Sequence, residues 1–63
     1  MDNLLETYAD LIVAALEDET RDPLPAVQQY LRVAKSEGLD PEKVWAEVQD
    51  LTEDAPEYSE VAP

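Results

Sequence analysis

Apolar residues recur at helical spacing in three stretches of the chain, and proline or glycine separates each from the next. In the first stretch, Leu4, Leu5, Tyr8, Leu11, Ile12, Ala15 and Leu16 fall within a stripe about 140° wide when each residue advances about 100°. Asp2, Glu6, Asp10 and Glu17 form a ridge on the opposite side, where Val13 stands as an isolated apolar residue. Glu19 would return to the apolar stripe, and a buried carboxylate costs more than a lost turn, so the pattern predicts a helix over 3–18.

The segment from Thr20 to Pro25 is a connection, because proline is tolerated only in the first turn of a helix. A second helix is predicted over 24–37, with Val27, Tyr30, Leu31 and Ala34 inward and Gln28, Gln29, Arg32 and Lys35 outward. Gly38 is the one glycine in the chain and stands where a left-handed helix cap belongs. Asp40-Pro41-Glu42 then supplies a side-chain cap, a proline at the first position and an acid in the first turn. The third helix is predicted over 41–53, with Val44, Val48 and Leu51 inward and Trp45 on the flank. Pro56 ends helical geometry.

These elements predict an all-α fold: a small three-helix bundle over 1–54, followed by a short flexible acidic tail over 55–63 that stays disordered until something binds it. A chain of 63 residues has room for one marginal core.

Charge changes the picture. Residues 1–20 and 44–63 each hold six carboxylates and no cation, whereas the four cations Arg21, Arg32, Lys35 and Lys43 are balanced by four acids between them. The net charge of −12 is therefore two acidic blocks around a neutral centre. Direct nucleic-acid binding is disfavoured, since phosphate affinity is built from Lys and Arg, and anionic membrane surfaces repel such a chain. The longest apolar run, Leu11 to Leu16, is far short of a bilayer span, and no cationic leader precedes it. With no cysteine either, the expected location is the cytoplasm.

Catalysis finds little support in these residues. Histidine and cysteine are missing, and neither Ser36 nor Ser59 has a neighbour able to activate it. Glu17-Asp18-Glu19 and Asp22 suggest calcium, but the two prolines and the missing glycine do not suit an EF-hand loop. No cofactor, metal or catalytic residue is expected. Trp45, at helical spacing beside Val44 and Val48, reads as core or core edge rather than as an anchor for a partner. Tyr58, outside any predicted helix, reads equally as a solvated spacer or a docking anchor.

The outer faces lack the alternating Lys and Arg that steady exposed helices, and Asp2, Glu6 and Asp10 repeat like charge at i,i+4. Such carboxylates are about 6 Å apart along the axis. A duplex carries one charge per ~1.7 Å, so a single strand or a local phosphate patch can be imitated and a long duplex cannot.

In size, acidity and lack of catalytic groups the chain resembles, in overall character, phage inhibitors such as anti-CRISPR and antirestriction proteins. The expected function is a non-enzymatic inhibitor that covers a Lys/Arg-rich, nucleic-acid-binding surface on a larger protein or complex. Its expected contact residues are Glu6, Asp10, Glu17, Glu47, Asp50, Asp54 and Tyr58. The alternatives are a helical adaptor subunit docking through its second helix and tail, or a salt-adapted small protein. The neutral centre disfavours the salt-adapted reading.

Overall fold

Helix α1 spans Leu4–Glu17, α2 Leu24–Ser36, α3 Pro41–Leu51 and α4 Tyr58–Val61 in the computed structural model, which describes residues 3–62. Asp2 and Pro63 lie outside the described residues. The three long helices form the expected bundle: α1 touches both α2 and α3, these two touch each other, and α4 rests on α2.

Each boundary has a local cause. Asn3 caps α1 by accepting the Glu6 N–H at 3.2 Å, and Asp40 caps α3 by accepting the Glu42 N–H at 3.0 Å. After α2, the Gly38 N–H donates to the Lys35 carbonyl and the Leu39 N–H to the Ala34 carbonyl, both at 3.0 Å, which is a Schellman ending. Gly38 has φ of +90°, and a Cβ built there would meet nothing within 4 Å, so the requirement for glycine is purely one of backbone conformation. Helix α3 stops two residues earlier than expected because Thr52 turns extended and its hydroxyl accepts the Asp54 N–H at 3.2 Å.

The core consists of Ala9, Ile12, Val27, Leu31, Ala34, Val44, Trp45, Val48 and Val61. No charged or polar residue is buried among those described, and no buried polar side-chain atom lacks a hydrogen bond. Helix α1 is rotated from the expected orientation. Ala9 is fully buried and Val13 packs on the core, while Leu4 and Leu11 remain 43% and 40% exposed. The apolar residues of α1 from Leu11 round to Val13 span about 200°, more than two neighbouring helices can cover, and the small Ala9 lets a neighbour come closest on its side. Helix α3 turns the same way: Trp45 moves from the flank to the core, and Leu51, expected inside, is 46% exposed.

The chain from Ala55 to Ala62 differs most from expectation. It is laid against the bundle instead of hanging free. The Pro56 carbonyl accepts two hydrogen bonds from one face of α3, from Trp45 Nε1 at 2.8 Å and Gln49 Nε2 at 3.3 Å. That contact satisfies the one polar atom of a buried indole. The turn of α4 then opens with the Glu57 N–H donating to the Glu60 carboxylate at 3.2 Å, and Val61 enters the core at 4% exposure. Tyr58 is half-buried against the same core, so neither a solvated spacer nor a free anchor describes it.

Candidate functional site

Glu6, Asp10 and Glu17 are exposed on α1 and, at about 100° per residue, lie within about 40° of one another around its axis. Their relation to α3 follows from what each helix packs against. Leu11, Ala14 and Ala15 share a groove with Ala26 and Tyr30 of α2, so α2 covers that flank of α1. The opposite flank, through Ala9 and Val13, is left to α3, and the acidic ridge continues outward from it. On α3, Trp45 and Gln49 face the C-terminal segment, so Glu47 and Leu51 border α1. Glu47 and Asp50 therefore stand beside the ridge of Glu6, Asp10 and Glu17, on the outer side of the α1–α3 seam. Glu47 is half-buried there and Asp50 exposed.

The face holds one cation, Lys43, which lies between Glu47 and Asp50 around the α3 axis. Among the described residues the one ion pair is Asp18 with Arg21, at 3.7 Å and well exposed, a contact worth little in water. Glu6 accepts a hydrogen bond from Asn3 Nδ2 at 3.0 Å. Among the described residues Asp10, Glu17, Glu47, Asp50 and Asp54 engage no other side chain through their carboxylates. Lys43, four residues before Glu47, forms no ion pair with it among the described residues.

The expected site residues divide accordingly. Glu6, Asp10, Glu17, Glu47 and Asp50 belong to one face. Asp54 is exposed in the turn after α3. Tyr58 is committed to the core side of the C-terminal segment and is not part of the face.

The Glu17–Asp22 cluster spends its carboxylates on local structure. Asp18 Oδ1 accepts the Thr20 N–H at 2.9 Å and the Thr20 hydroxyl at 2.5 Å, and Asp22 Oδ1 accepts the Leu24 N–H at 3.1 Å. The Thr20 hydroxyl, then the Thr20 N–H, and then Arg21 hold the Asp18 carboxyl below its usual range.

The sequence reading missed an exposed apolar strip. Leu4 and Leu11 belong to the apolar stripe of α1, yet both are exposed, and Leu11 lines the groove shared with α2. The width of the apolar arc on α1 was the available signal. Comparison of the chain with protein-family models, curated proteins and solved structures found no match.

Proposed function

We propose that the protein is a non-enzymatic binder that uses the α1–α3 face to cover a cationic, nucleic-acid-binding surface on a larger protein. The observation that carries this reading is the set Glu6, Asp10, Glu17, Glu47 and Asp50, drawn from two helices to one side of the bundle with Lys43 as the one cation among them. Placing like charges side by side costs stability in a chain with so small a core. The cost is offset where a basic partner binds, through steering during approach and through charge pairs once docked.

The spacing limits what can be imitated. Along α1, Glu6 and Asp10 are separated by about 6 Å and Asp10 and Glu17 by about 10 Å of axis. With Glu47 and Asp50 alongside, the face resembles a short stretch of phosphates more than a duplex. Occlusion is the mechanism, and the chain need supply no chemical step.

Capture from lysates at low and high salt, with and without competing DNA or RNA, tests the reading. A captured nucleic-acid-binding protein that salt and nucleic acid both displace supports it. Capture that is indifferent to both favours the adaptor alternative.

A further inference from the structure

The groove between α1 and α2 lies on the other side of the acidic ridge of α1 from α3. Its floor is Leu11, Ala14 and Ala15 from one side and Pro23, Ala26 and Tyr30 from the other, and the Asp18–Arg21 pair stands at one end. It encloses about 260 Å³, under the roughly 300–1,000 Å³ of sites that engulf small molecules. It is open and mostly apolar, with Asp22 beside the Asp18–Arg21 pair at its charged end, which suits one or two side chains presented by a larger partner. Leu4, one full heptad before Leu11, extends the same apolar strip along α1.

Charge decides the occupant. From the groove, the outer surface of α1 passes over the small residues Ala14 and Thr7 and reaches Glu6, Asp10 and Glu17. A ligand seated over Ala14 therefore meets the apolar floor with Asp10 and Glu17, the neighbours of Ala14 one turn to either side, at its rim. A second copy of this chain would bring −12 against −12, and an anionic peptide would be repelled likewise. A helix with one apolar stripe and a flanking row of Lys or Arg matches both features at once.

We infer that the α1–α2 groove is a docking site for a cationic amphipathic helix, whose aliphatic side chains enter beside Leu11 and Tyr30 while its cations pair with Asp10 and Glu17 at the rim. This deepens the proposed function by naming the partner's element, and the sign of the partner's charge rests on that reading. Apolar contact then holds the complex and charge guides its formation.

The test uses the full chain and a synthetic Leu/Lys peptide of about 18 residues, long enough to become helical when bound. Controls are a scrambled peptide of the same composition and a Leu/Glu peptide. Amide shifts in the labelled protein map the site and give the affinity. Expected shifts centre on Leu11, Ala14, Ala15, Ala26 and Tyr30, and neither control binds comparably.

Leu11→Ala, at an exposed position, removes the wall of the groove. Ala14→Gln lays a longer chain across it while keeping every carboxylate. Each should weaken binding about tenfold. If both leave affinity unchanged while Glu6→Gln/Asp10→Asn weakens it, the contact is charge alone: the groove inference falls and the proposed function stands. If the groove variants do weaken the peptide but capture from lysates is indifferent to salt, the docking site stands and the proposed function falls. An absence of shifts, or equal binding of the Leu/Glu peptide, overturns the inference. Shifts that follow protein concentration without peptide also overturn it, because they make a second copy the occupant.

Discussion

Replacing Val61 by alanine should destabilise the protein as a core mutation does, although Val61 belongs to a helix of only four residues. Its side chain is 4% exposed and belongs to the same cluster as Ile12, Leu31 and Trp45. The change removes two carbon groups from that cluster, about 1.6 kcal/mol at ~0.8 kcal/mol per buried methylene, with a cavity term added to the extent that α4 cannot settle inward. For a domain of this size, 1 kcal/mol moves Tm by about 4–8 °C, so the expected fall is about 6–13 °C.

Thermal unfolding followed by far-ultraviolet circular dichroism measures the fall, and the near-ultraviolet signal of Trp45 reports whether its surroundings loosen as well. Val33→Ala is the matched control. It makes the same chemical change at a position 38% exposed on α2 and should move Tm by much less. Equal small shifts for the two variants would mean that the C-terminal segment does not contribute to the fold, and the account of Trp45 and Pro56 would fail with it.

The other expectations concern single interactions. Gly38→Ala should cost about 1–2 kcal/mol from the positive φ alone, and Gly38→Asn less, both read from denaturant midpoints; equal stability of all three would refute the backbone argument. Asp40→Ala should cost about 1 kcal/mol through the lost cap on Glu42, by the same measurement. Asp18 has a lowered folded pKa, so its stabilisation is present above the unfolded value of 3.8 and is lost as pH falls through the folded value. Thr20→Val should remove the largest cause, and an NMR titration of Asp18 that does not move upward in that variant would contradict the assignment. Added salt should raise Tm of the free protein by screening the α1–α3 face, and Glu6→Gln/Asp10→Asn should reduce that rise.

Local signals carried most of the fold. Gly38, Asp40 and Pro41 mark the α2–α3 connection through backbone conformation and capping, which depend only on nearby residues, and they do so in the structure as well. Orientation was less legible. On α1 the apolar arc is too wide to identify its buried part, and the choice of Ala9 and Val13 over Leu4 and Leu11 is made by how α2 and α3 approach. The C-terminal segment was not legible at all. Glu57, Ser59 and Glu60 look like a solvated tail, and what holds it is a carbonyl of Pro56 facing an indole eleven residues earlier. A backbone acceptor has no signature in the sequence. The acidic face lies between these cases. Its carboxylates were evident from spacing, but the removal of Tyr58 from the set follows from the docking of α4.

The central claim is that the α1–α3 carboxylates recruit a basic partner, and the salt dependence of association tests it most directly. Association rates of the captured partner should be measured across a salt series for the native chain, Glu6→Gln/Asp10→Asn, Asp50→Asn/Asp54→Asn and Gln28→Ala/Gln29→Ala. The account expects slower association and a flatter salt dependence for the two acidic pairs, with the Gln28/Gln29 pair close to native. Native behaviour of both acidic pairs, with loss of binding in the Gln28/Gln29 pair, would contradict it and place the interface on α2.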